Sequence, residues 1–225
     1  MIIKIKNLLF EIYFLILIDN LIVKDFLPNN YRYFKGAKHI NSWAVSFNKY
    51  FIDIKKRIKT QKGSDEDKAE IETYSFYAGY VARKMNDILR TGENNNYLPE
   101  YFQQHIDRLA NSLNKFHLPE NVVAIRRIKC KYFNENIKKG DNYKEKGFLS
   151  TSLNLFYRLD SESIFRLLDK EAIIILKIPK GTNACYIEEI SKRREYELVL
   201  QKNTSMAIEK NIHIFGNRII VAKVN

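Results

Sequence analysis

With only 4 prolines and 8 glycines in 225 residues, the sequence lacks the composition of a linker-rich, collagen-like or low-complexity chain. Cysteine is scarcer still. The two present, Cys130 and Cys185, have no metal-ligand spacing and read as two buried thiols in preference to a disulfide. No metal is expected. No glycine-rich dinucleotide fingerprint occurs, and no regular alternation of strand and helix, which excludes a doubly wound parallel fold. Acidic residues are the minority charge: 38 Lys and Arg against 26 Asp and Glu give a formal net charge of +12. That surplus admits a nucleic acid, an anionic membrane or an acidic protein as partner. The basic residues are dispersed, however, and the densest clusters, DIKKRIK and SKRREYE, match no DNA- or RNA-reading motif, so no nucleic acid is expected.

What is present is ordinary globular material. An apolar share of 45% with 13% aromatics supplies a core, and the length suits one compact domain with an N-terminal extension. That extension, residues 1–30, begins with a basic start and an apolar run, the pattern of a signal or export segment. Glu11 and Asp19 interrupt the run and no small-residue cleavage site follows, so a first amphipathic or core helix is an equal reading. The uninterrupted stretch 12–18 is too short for a stable membrane span. Residues 31–225 are expected to form the single domain.

The first part of that domain is helical. In NSWAVSFNKYFIDIKKRIK, Trp43, Phe47, Phe51, Ile54 and Ile58 recur at helical spacing. Ser64 is placed to cap a second helix with Asp65, Glu66 and Asp67 in its first turn, running to about Arg90 with a break near Gly79. Ile106, Leu109, Leu113 and Phe116 mark a further helix. After Pro119 the period changes. NVVAIRRIK, AIIILKIP, ACYIEEI, YELVLQ and IHIFGNRIIVAKV are short, rich in Ile and Val, and separated by turn-like KKGDN and PKGTN. The expectation is an α+β fold, with an N-terminal helical layer packed on a mainly antiparallel β-sandwich.

Three polar features in the strand-rich half do not build a core. Arg126 and Arg127 are adjacent on an apolar strand, so one must point to the buried or cleft side, where it requires an anion. Ser150, Thr151 and Ser152 follow apolar Phe148 and Leu149. Glu195 and Glu197 share a face if their segment is a strand, where like charges repel and resist desolvation. Taken singly, each has an ordinary reading as an exposed cation with a salt bridge, a strand edge, or a wet strand face.

In their order and spacing they resemble the arginine–serine–glutamate class of mono-ADP-ribosyltransferase toxins, which includes the enzymatic components of binary toxins and the Rho-modifying exoenzymes. LNKFHLPENVVAIRR is similar to the family's segment leading into its first arginine, EKGFLSTSL to its serine motif, and IPKGTNACYIEEIS to the strand and turn entering its target-recognition loop. YSFYAGYVARKMNDILR resembles the helix pair that approaches the NAD phosphates. The resemblance spans roughly residues 40 to 223.

It implies an enzyme with NAD as substrate and the following roles. Glu197 is the catalytic glutamate, bound to the nicotinamide-ribose hydroxyl and stabilising the oxocarbenium-like transition state. Glu195 positions an acceptor guanidinium and helps remove its proton; a glutamate here, where Rho-modifying relatives carry glutamine, points to arginine as acceptor. Arg126 and Arg127 bind NAD, Ser150 holds Glu197, and Thr151 and Ser152 support the strand. Asn86 and Arg90, four apart on one helical face, and Tyr77 belong to the NAD site. Phe165 and Arg166 are taken for the phosphate–nicotinamide loop over Phe156 and Arg158, although neither pair has the family spacing. Ile125 stands where the family often has an aromatic. The resemblance further implies secretion, action in a host cytosol on a host protein such as actin, and a separate delivery component. The SKRR run before Glu195 reads as a surface for an acidic target. An NAD glycohydrolase and a non-catalytic basic binding module are the competing functions.

Overall fold

The computed structural model describes residues 30–34, 36–92, 100–129, 136–154, 171–214 and 217–225, together with Ile16. Most of the N-terminal segment lies outside the described residues, as do Cys130, Phe156, Arg158, Phe165 and Arg166.

The apolar periodicity of residues 41–59 is divided between two helices, α1 (Ala37–Trp43) and α2 (Val45–Lys59). Ala44 separates them with ψ near 9°, yet its N–H still reaches the Ile40 carbonyl at 2.8 Å. Phe47, Phe51 and Ile54 of α2 are buried, each such side chain contributing about 1.5–3 kcal/mol of transfer energy. Helix α3 (Asp65–Phe76) begins with the expected cap: Ser64 Oγ accepts from the Asp67 N–H and the Asp67 carboxylate accepts from the Ser64 N–H. At Gly79 the backbone leaves helical geometry, with ψ −158°, inside a π-type turn (Tyr77–Val81). The chain resumes as α4 (Ala82–Thr91), which ends on Gly92 in the left-handed region at φ 64°. Breaking the helix there redirects α4. Ala82, Asn86 and Arg90, at intervals of four, then fall on one face. Helix α5 (Glu100–Leu113) buries Ile106, Leu109 and Leu113 against the same core.

The strands are β1 (Val122–Lys129), β2 (Asn142–Glu145), β3 (Leu149–Ser152), β4 (Glu171–Ile178), β5 (Ala184–Tyr186), β6 (Glu197–Leu200), β7 (Thr204–Ile214) and β8 (Asn217–Val224). They form one mostly antiparallel sheet of order β2-β7-β8-β4-β1-β3-β6-β5, in which β4 and β8 run parallel. Two readings are corrected here. ACYIEEI does not stay extended: the chain turns into a short helix, α6 (Glu188–Ser191), after Tyr186. IHIFGNRIIVAKV divides into the end of β7 and all of β8, paired as a hairpin from Ile214↔Asn217.

The sheet is nearly split. Strand β1 meets β3 through the single register pair Ile125↔Ser152, leaving a five-stranded and a three-stranded part. Ala124, Leu176, Leu198 and Leu200 face the helices. Val123, Ile125, Ile173, Ile175, Ile219 and Val221 form a second apolar cluster on the opposite side of the larger part. By alternation Arg126 lies on the helical side of β1 and Arg127 on the other. Beyond the Ile125 pair, β1 and β3 part, and a cleft opens between them.

Candidate active site

The cleft has a volume of about 310 Å³, within the range of small-molecule sites. It brings together ten of the residues singled out from sequence: Tyr77, Asn86 and Arg90 from the helical side, Arg126 and Arg127 from β1, Ser150, Thr151 and Ser152 from β3, and Glu195 and Glu197. Phe165 and Arg166 are outside the described residues.

Glu197 opens β6, all four of whose residues are buried. Its carboxylate accepts from the Ser150 hydroxyl on one oxygen and from Arg193 Nη2, at 2.7 Å, on the other. Burial is the main force on its acidity and pushes the carboxyl above the usual carboxylate range; Ser150 and Arg193 pull it back, and Glu195 adds to the rise. The same Arg193 Nη2 lies 3.2 Å from Glu195 Oε2. One guanidinium thus bridges the two carboxylates, which relieves their mutual repulsion. Arg193 was read from sequence as part of an outward basic surface, but its guanidinium turns inward. A basic run gives no sign of which member will do so.

The loop that carries Arg193 and Glu195 is strained and held. Lys192, Arg194 and Tyr196 all have left-handed φ, between 50° and 55°, a conformation that is uncommon for non-glycine residues and clusters at functional sites. The Glu188 carboxylate secures it, accepting from the Arg194 N–H at 2.5 Å and the Tyr196 N–H at 2.8 Å. Ser152 Oγ donates to the Glu195 carbonyl at 2.7 Å, and Thr151 Oγ1 to the Leu198 carbonyl at 2.8 Å. Lys55 of α2 anchors α6 through Glu189. The serine motif therefore fixes both the Glu197 carboxylate and the backbone that presents its neighbour.

Arg126 Nη1 donates to the Ser150 carbonyl at 3.0 Å. Its burial lowers the guanidinium's pKa, a tendency that Glu145 opposes. Asn86, itself buried, holds the backbone of Phe148 at both ends: its Nδ2 donates to the carbonyl at 3.1 Å and its Oδ1 accepts the N–H at 2.8 Å. Tyr77 packs edge-on against the Phe148 ring, with centroids 5.7 Å apart. Arg90 makes a forked pair with Glu145, at 2.9 and 3.2 Å. Burial raises the Glu145 carboxyl, but Arg90, Arg126 and the Gly147 N–H outweigh it and hold the group below its ordinary range. Sequence reasoning missed Glu145 and Glu188 as well as Arg193. EKGFLSTSL signals only its serines, and a lone glutamate carries no sign of its partner.

This is a cleft lined by four arginines, Arg83, Arg90, Arg126 and Arg127, and by the two carboxylates Glu195 and Glu197. It suits a substrate with an anionic body and a reacting centre that becomes positive. Among the described residues no group of His, Cys, Asp or Glu could hold a metal ion.

Known proteins agree with that chemistry. The family model for the ADP-ribosyltransferase exoenzyme matches residues 36–223. A search of the curated proteins gives no match. Among solved structures, the Clostridium limosum C3 exoenzyme is similar at 21% identity and TM-score 0.67, over 87% of this chain and 97% of that one. C3stau2 from S. aureus, solved with NAD, is similar at 20% identity and TM-score 0.65, over 87% and 99%. BECa of a C. perfringens binary enterotoxin, solved with NADH, is similar at 17% identity and TM-score 0.63, over 83% of this chain and 48% of that one. These likenesses show the fold, and the match over residues 36–223 shows the lineage: the chain belongs to the ADP-ribosyltransferase exoenzyme family, whose members transfer ADP-ribose from NAD to protein.

Proposed function

We propose that this enzyme modifies an arginine of a host protein, and that Glu197 and Glu195 divide the work between the two substrates. Glu197 binds the nicotinamide ribose through the oxygen shared with Ser150. As nicotinamide leaves, positive charge develops on the ribose, and a fixed carboxylate stabilises that charge more in the transition state than in the ground state. Arg126 and Arg127 meet the negatively charged pyrophosphate end, with Arg90 and Arg83 adding positive potential along the cleft. Asn86 positions Phe148 and so β3, Tyr77 supports the same turn, and Thr151 and Ser152 hold the strand and the Glu195 loop. Glu195 orients the incoming guanidinium and takes its proton.

The observation that carries the arginine reading is the bridge to Arg193: the two carboxylates already bind one guanidinium, with Nη2 at 2.7 and 3.2 Å. The enzyme is taken to be secreted and to act in a host cytosol, with delivery by a separate component; actin is the first target to try. The test is transfer of labelled ADP-ribose from NAD into a eukaryotic lysate, followed by mapping of the modified residue. Linkage to arginine in a discrete protein is expected. Linkage to another residue type, or conversion of NAD to free ADP-ribose with no labelled protein, overturns the reading.

A further inference from the structure

We propose that Arg193 is itself an acceptor, so that the enzyme ADP-ribosylates its own loop in cis; this rests on the NAD-dependent transfer assigned above. Arg193 reaches both Glu195 and Glu197 with the same nitrogen, which is where the proposed function puts the guanidinium of a target. Its side chain is 40% exposed whereas that of Glu197 is 4% exposed, so it sits over the buried carboxylate from the solvent side. The backbone is built to keep it there. Alternate left-handed residues at 192, 194 and 196 turn the loop back on itself, and Glu188 clamps the two N–H groups flanking Glu195. Strain held by such a clamp is consistent with positioning a reactive group rather than with a passive turn. Proximity of this kind replaces an encounter with a second protein by an intramolecular step.

The chemistry balances with the substrate already assigned. The glycosidic bond between ribose C1′ and the nicotinamide nitrogen breaks, and nicotinamide leaves with the bonding electrons as a neutral molecule. A guanidinium nitrogen of Arg193 forms the new bond to C1′ and gives up one proton, which Glu195 accepts and passes to water. The modified guanidinium keeps its positive charge but carries an ADP-ribosyl group too large for the gap between the carboxylates, so the loop releases Arg193 and exposes the site to an external acceptor.

The test uses the full chain with NAD and no other protein, read by nicotinamide release, intact mass and peptide mapping. One ADP-ribosyl group per chain on Arg193 is expected, formed at a rate per molecule that does not change on dilution. Agmatine, a small free guanidine, should reduce the Arg193 adduct while itself becoming ADP-ribosylated. An Arg194→Gln variant should keep the adduct. Nicotinamide release with Arg193 unmodified overturns self-modification while leaving the proposed function standing. A rate that falls on dilution overturns the placement in cis, and absence of nicotinamide release overturns both readings together.

Discussion

Replacing Asn86 by alanine separates two roles for this residue that are easily confused. The family resemblance puts it beside NAD, but in the structure its amide is engaged with the Phe148 backbone at 2.8 and 3.1 Å. Asn86→Ala removes the partner of a buried N–H and of a buried carbonyl at once. Each unsatisfied group is worth about 1–3 kcal/mol, so the expected loss is roughly 2–6 kcal/mol, with the low end applying where cleft water replaces the amide. Against a total stability of about 5–15 kcal/mol that is a large fraction. Gly147 supplies an internal check, because a Cβ there would lie 2.7 Å from Asn86 Oδ1. Gly147→Ala should therefore destabilise the wild type and do so less in the Asn86→Ala background, where only the Cβ contact at 3.1 Å remains. The assay is urea unfolding of the four proteins in the double-mutant cycle, with NAD hydrolysis measured alongside. If Asn86→Ala leaves the unfolding midpoint unchanged and only weakens NAD binding, the residue is a ligand group and the tether argument is wrong.

Two further predictions concern charge. Glu145→Gln breaks the forked pair with Arg90, and because Arg90 is 31% exposed the loss should be about 2–3 kcal/mol, below the full range for breaking a buried pair. The Glu145 carboxyl is held below its ordinary value near 4.5, so its contribution is present above that pH and disappears as pH falls through the depressed value. Acid unfolding followed by circular dichroism should accordingly be shallower in the variant, and identical profiles would refute the coupling. For Glu197, burial raises the carboxyl and Arg193 opposes the rise. In the proposed mechanism the ionised form is the active one, so activity is expected to fall as pH drops through that raised value. Arg193→Gln removes an opposing charge and should move the acid limb of NAD hydrolysis to higher pH; a shift to lower pH, or none, contradicts the assignment.

Much of the fold was legible because its signals were local. The Ser64 cap with its acidic first turn, the break at Gly79 and the Ile-rich β1 and β4 each follow from residues close in sequence. Strand β2 was not, since NYKE is short and polar and buries only Glu145. Its extended state comes from pairing with β7, 65 residues away at Asn142↔Ala207. The EEIS turn was misread for a related reason: alternation continued past Tyr186, while the helix there is held by Lys55 from α2. In the site, the arginine, serine and glutamate motifs were legible as a constellation through family resemblance. Arg193, Glu188 and Glu145 were not, because each acts through a partner that the folded loop alone selects. The two glutamates do not share a strand face, since Glu195 lies in the loop before β6; their repulsion is met by Arg193, a cation four residues from Glu197.

The division of labour between the two glutamates is tested most directly by measuring nicotinamide release and ADP-ribosyl-agmatine formation on the same preparations of the wild type, Glu195→Gln and Glu197→Gln. Glu197→Gln is expected to lose both activities, by about 100-fold or more as for removal of a transition-state charge partner. Glu195→Gln is expected to lose transfer and still release nicotinamide. Equal loss of both activities in Glu195→Gln, or continued NAD cleavage by Glu197→Gln, would contradict the roles assigned to the pair.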